Sequence, residues 1–137
     1  MTILTYTLAS HQSTTSVGSL VDRGANGGLA GSDVLILEKT GRFVDVAGID
    51  NHTVNDLEIV TAAGLVSTNQ GPKIVILHQY AYLGSGKTIH SSAQIESYKN
   101  FVHDRSKLVG GLQAILTLEG ITIPLSIKNG LAYLPIR

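Results

Sequence analysis

Leu20-Val21-Asp22-Arg23-Gly24-Ala25-Asn26-Gly27-Gly28 carries an apolar run straight onto a carboxylate and then into a set of small residues. Val21 is β-branched and favours a strand, whereas Gly24, Gly27 and Gly28 admit the left-handed backbone of a turn. The pattern predicts a strand that ends by presenting Asp22 at its junction with a turn, where a carboxylate can face a cleft. The alternative at this stage is an Asp22 that does no more than bond the amides of its own turn.

Working outward, the chain has 137 residues, 43% of them hydrophobic, which suits one domain with a proper core. There are no cysteines, so neither a disulfide frame nor a thiolate metal site is available. Ten basic and ten acidic residues balance to a formal net charge of 0, which gives no long-range attraction to nucleic acid or anionic membrane. The first residues lack both a basic flank and a long apolar run, so neither a signal peptide nor a membrane span is expected, and the expected setting is cytoplasmic. Fifteen glycines, three prolines and many Val, Ile, Leu and Thr residues point to strands joined by turns.

Residues 2–8 alternate in the manner of an edge strand, and the Ser/Thr cluster at 10–16 reads as a loop. Residues 17–22 form the strand that delivers Asp22, 27–32 a turn, and 34–37 a short apolar strand closed by Thr40-Gly41. Residues 43–49 alternate into a polar hairpin tip at Asp50-Asn51-His52, with 57–66 as the return strand. After the turn Asn69-Gln70-Gly71-Pro72, residues 73–77 read as the most deeply buried strand of the chain. The period then changes: Ile95 and Tyr98 lie three apart behind a Ser91 or Ser92 cap, which predicts one short helix. After a candidate boundary near 103–111, Glu119-Gly120 and Asn129-Gly130 separate three apolar runs, 113–118, 121–127 and 131–136, which predicts a three-stranded meander. The fold class is therefore all-β with one helix, a single domain with its core at about 17–102 and the meander at about 111–137.

Asp22-Arg23-Gly24-Ala25 resembles the Asp-Ser/Thr-Gly-Ala signature of retropepsin-like aspartic proteases, in particular those of copia-type retrotransposon polyproteins. The likeness extends beyond the loop. Residues 45–59 are similar to the family's flap hairpin, and Thr88-Ile89-His90-Ser91-Ser92-Ala93-Gln94-Ile95 looks like the segment that leads into its helix, with Gln94-Ile95 as its Gln-apolar pair. It covers roughly residues 17 to 100. The resemblance implies an acid-protease barrel and an endopeptidase that processes its own polyprotein as a homodimer, Asp22 being the catalytic residue from each subunit. It further implies Arg23, Gly24, Ala25 and Asn26 as loop support and Ala47, Gly48, Ile49, Asp50, Asn51 and His52 as the substrate-binding flap. Peptide substrate is the expected partner, with no nucleic acid, membrane, metal or organic cofactor, in the cytoplasm or within a virus-like particle.

Two residues depart from the pattern. Arg23 stands where the family has a small hydroxyl residue whose hydrogen bonds tie the paired loops together, and it accepts no hydrogen bond. It could pair with an acid across the dimer, or turn outward and leave the carboxyls free. Restoring Ser there should raise proteolysis in a competent scaffold and change nothing in a catalytically silent assembly module, the second class of function considered. His90 replaces an apolar residue and, in a buried strand, needs a partner.

A third class is a nucleotide binder, since residues 81–88, Ala-Tyr-Leu-Gly-Ser-Gly-Lys-Thr, meet a relaxed phosphate-loop pattern in which Lys87 would reach phosphates and Thr88 a magnesium ion. The parallel strands such a loop needs are not seen around it. His11, His52, His78, His90 and His103 show no metal-ligand spacing, no Gly-x-Ser-x-Gly elbow occurs, and basic residues are scattered rather than grouped with aromatics.

Overall fold

In the computed structural model, which describes residues 5–7, 18–49 and 52–136, the chain is mainly β with one short α-helix. The strands are β1 (Thr5–Thr7), β2 (Ser19–Asp22), β3 (Leu29–Ala30), β4 (Leu35–Ile49), β5 (His52–Thr68), β6 (Gly71–Tyr82), β7 (Ile89–Ser91), β8 (Phe101–His103), β9 (Ala114–Leu116), β10 (Thr122–Pro124), β11 (Ser126–Lys128) and β12 (Leu131–Leu134). The helix is α1 (Ser92–Ser97), and a 3-10 turn occupies Lys107–Val109. Nine strands form one mixed sheet in the order β1-β4-β5-β6-β3-β7-β2-β12-β11, and β10-β9-β8 form a second sheet.

The long antiparallel strands β4, β5 and β6 dominate the large sheet. Thr40-Gly41 does not end a strand, as the sequence suggests, because β4 absorbs the pair as an irregularity: Lys39 faces Val60 but Phe43 faces Glu58. Gly41 takes φ 78°, and Thr40 Oγ1 donates to the Ile59 carbonyl at 2.6 Å, so the polar residues are used in place.

At the centre, β2 lies parallel to β7 with Leu20, Val21 and Asp22 opposite Ile89, His90 and Ser91. β7 is thus inserted between the consecutive strands β2 and β3. Leu20, Ala25, Leu29, Val44, Val46 and Ile59 pack into one buried cluster beneath the loop that follows β2. Fully burying each of the Leu, Val and Ile side chains stabilises the fold by about 1.5–3 kcal/mol, and Ala25 ties the loop to this cluster.

Three expectations are corrected. The large sheet ends in β1 and β11 among the described residues, so it is open and not a closed barrel. The C-terminal meander is broken at Leu125: β9 and β10 make a hairpin in the small sheet, while β11 and β12 make another in the large one. Leu125 itself is buried between the sheets, its N–H donating to the Gln113 carbonyl, and this anchors the crossover. Residues 73–77 are not the best-buried strand: only Leu77 is buried, and Ile74 is 69% exposed. Apolarity cannot report whether a strand has neighbours on both sides, and here it has β5 alone.

Candidate active site

Asp22 closes β2 at 7% exposure, and its Oδ1 accepts the Gly24 N–H at 2.9 Å while its own carbonyl accepts that of Ala25 at 3.3 Å. The loop is then pinned from the next elements. Ser91 Oγ donates to the Ala25 carbonyl at 2.7 Å and accepts the Gln94 N–H at 3.1 Å, so one hydroxyl both caps α1 and anchors the loop. Gln94 makes a three-way tie: Oε1 accepts the Gly28 N–H at 2.9 Å, and Nε2 donates to the His78 and Gln79 carbonyls at 2.6 and 3.0 Å. Gly28 lies flat on Tyr80, where a Cβ would come within 2.6 Å of the ring.

Arg23 turns outward and is half exposed. Its Nη1 donates to Glu96 Oε1 at 2.9 Å, Nε to Asp104 Oδ2 at 3.3 Å, and Nη2 to the Val102 carbonyl at 3.1 Å. Partial burial opposes its charge, but the hydrogen bonds and Coulombic attraction of Asp104 and then Glu96 outweigh that and raise the guanidinium's pKa. Both acids belong to the same chain, so the guanidinium joins the loop to α1 and β8.

A second polar network, not singled out from the sequence, ties together the N-terminal ends of β2 and β7. Asp33 Oδ1 accepts the Thr88 N–H at 2.9 Å and hydroxyl at 2.5 Å, and Oδ2 accepts Ser19 Oγ at 2.9 Å. Thr88 Oγ1 in turn accepts the Gly31 N–H at 3.0 Å. Its partners lie 14 to 57 residues apart, so no local motif announces it. Thr88 is fully buried and committed here, and Lys87 leads into strand β7 and not into a helix, which leaves no phosphate loop at 81–88.

His90 is fully buried, as its strand position requires, and its partner is Tyr80: the hydroxyl and Nδ1 share a hydrogen bond of 2.6 Å, with the rings edge to face. Burial pushes the imidazole down to about 4 against an opposing pull from the Asp33 carboxylate, so at neutral pH it is uncharged. Its Nε2 has no hydrogen-bond partner among the described residues.

The expected flap lies on the β4–β5 hairpin. Ala47 and Gly48 lie in the last three residues of β4, Gly48 at φ 98°, and the backbones of Ile49 and His52 pair across the tip. Asp50 and Asn51 lie outside the described residues. β1 runs parallel to β4 opposite Asp45, Val46 and Ala47, close to the tip of this hairpin. Ala25 is buried, whereas Gly24 and Asn26 are exposed on the loop. No group of three or more His, Asp or Glu that could hold a metal ion occurs among the described residues, and no helix there is long and apolar enough to cross a membrane.

One carboxylate on a stiff loop can orient a water or a donor, but peptide hydrolysis by acids needs two carboxyls sharing a proton. No protein-family model, curated protein or solved structure matches this chain.

Proposed function

We propose that the chain is an aspartic endopeptidase of the retropepsin type, assembled as a homodimer in which the Asp22 carboxyls of two copies meet across a twofold axis. A symmetric dimer places identical residues opposite each other, so one loop per chain suffices for a dyad. The pair titrates as a unit, one carboxylate taking a proton from water while the other, protonated, supports the substrate carbonyl. Gly24 and Ala25 shape the loop, and residues 47–53 of the hairpin close over the peptide. No cofactor enters this chemistry, and an extended segment of the parent polyprotein is the natural substrate.

The observation that carries the reading is the Asp22 loop itself: a carboxylate at the end of a buried strand, clamped by Ser91 and Gln94, with the Arg23 guanidinium held outside. With Arg23 turned to Glu96 and Asp104 of its own chain, its guanidinium is directed away from the Asp22 carboxyl, which supports the reading. The test is cleavage of a peptide library by the purified chain, with mass measured across a dilution series. Asp22→Asn and Asp22→Ala are expected to abolish cleavage without unfolding the chain, and wild-type activity should fall faster than concentration as dimers dissociate. Unchanged cleavage by Asp22→Ala, or a monomer that is fully active, sinks the reading.

A further inference from the structure

Among the described residues, positions 72–77 of β6 have a strand neighbour on one side only, because β3 reaches β6 just at Ala81 and Tyr82. The other side presents main-chain N–H and C=O groups with no strand opposite, up to His78 and Gln79, whose carbonyls Gln94 takes. A cavity of about 450 Å³ runs along this edge. Residues 73–78 of β6 form one wall, and Ile95 of α1, Tyr98 just after it, Ile115 of β9 and Ile121 just before β10 form the other. Asp22, Ala47, Gly48 and Thr53 do not line it.

We propose that this groove docks an extended segment of a partner polypeptide, apolar at alternate positions and uncharged over its docked length, which adds to β6 as a further strand. Three features select that occupant. Six consecutive β6 residues wall the cavity, a span of about 20 Å at strand rise, which suits a chain lying alongside and not a compact molecule. The free edge offers main-chain hydrogen bonds that a helix or an apolar small molecule leaves unused, and strand addition takes its affinity from them. The charges lining the groove are Lys73 and Glu119, of opposite sign on opposite walls, so the groove has no net charge to complement and a charged centre would be desolvated without a partner. Ile74, Ile76 and Tyr98, at 69%, 46% and 46% exposure, supply apolar surface beside the edge.

The inference stands apart from hydrolysis at Asp22, and its test reads binding alone. Random dodecapeptides displayed on phage are selected on the immobilised full chain, and the enriched sequences are resynthesised with a fluorescent label for anisotropy. Apolar residues at every second position with an uncharged centre are the expected consensus. N-methylation of the bound peptide should weaken it tenfold or more at alternate amides and little at those between. Ile76→Lys and Tyr98→Ala, both at exposed positions, should each weaken binding at least tenfold with circular dichroism unchanged, and Leu108→Ser, away from the groove, should not. Apolar residues at helical spacing, indifference to N-methylation, or enriched peptides insensitive to both groove substitutions overturn the proposal. So does a mass measurement in which Ile76→Lys converts a wild-type dimer to monomer, since the edge then pairs with a second copy.

Discussion

Arg23 is read differently once its partners are known. From the sequence it is an intrusion into a catalytic signature; in the fold its guanidinium joins the loop to Glu96, Asp104 and the Val102 carbonyl. Half-exposed ion pairs are screened by solvent, so Arg23→Ser is expected to lower stability by only about 1 kcal/mol, read in urea unfolding. Adding Glu96→Gln and Asp104→Asn should lower it little further, because the three share one interaction. The hydroxyl restored by that change therefore comes with a loosened loop, and any gain in proteolysis must exceed that loss. Asp33 is the more consequential acid. Asp33→Ala leaves the buried Thr88 N–H and hydroxyl without their acceptor and should lower stability by about 1–3 kcal/mol, with Asp33→Asn recovering part of it. If Asp33→Ala melts with wild type, the network contributes nothing.

Secondary-structure elements were legible to different degrees. Ser91 or Ser92 reads as a helix cap because Ser favours that position and the period changes just after the pair, and the structure selects Ser91, with α1 beginning at Ser92. What the sequence could not disclose is that the same hydroxyl reaches back to the Ala25 carbonyl. Ser91→Ala is accordingly expected to exceed the usual cap loss of about 1 kcal/mol and approach about 2, and a thermal melt alongside Ser92→Ala would separate the two serines. The broken strand expected at Thr40-Gly41 shows the limit: a turn signal inside a hairpin is tolerated when the partner strand can shift register around it, and Glu58 accepts the Gly41 N–H at 3.0 Å to complete the exchange. At 73–77 the residues are apolar enough for a buried strand, but the neighbours that would bury them are not supplied.

At the scale of the whole molecule, pH acts through His90. Its folded pKa, about 4, lies below the ordinary 6.5, so the unfolded chain binds the proton first. Stability is full above pH 6.5 and is lost as pH falls toward 4, by roughly 3 kcal/mol at the lower limit. Urea midpoints at pH 7 and 5 should differ for the wild type and converge in His90→Asn; an equal slope in both assigns the acid sensitivity elsewhere. The open sheet gives a second consequence. Its two outer strands, β1 beside β4 and β11 beside β12, and the free stretch of β6 leave more than one edge able to meet another chain, and inward charges that would deter such pairing are absent from 74–77.

Composition, alternation and turn residues by themselves determined that this chain is mainly β, that a carboxylate ends a strand at Asp22, that a serine starts a short helix, and that a hairpin has its tip near residue 50. These are consequences of local backbone preference and side-chain period, which a linear string carries. Only the tertiary structure decided that β7 lies between β2 and β3, that the C-terminal strands divide between two sheets, that Arg23 pairs with Glu96 and Asp104, and that Asp33 and Thr88 are partners across 55 residues. Each of those depends on which distant segments pack together, and the free energy that selects them comes from non-local burial and hydrogen bonding that no window of sequence contains.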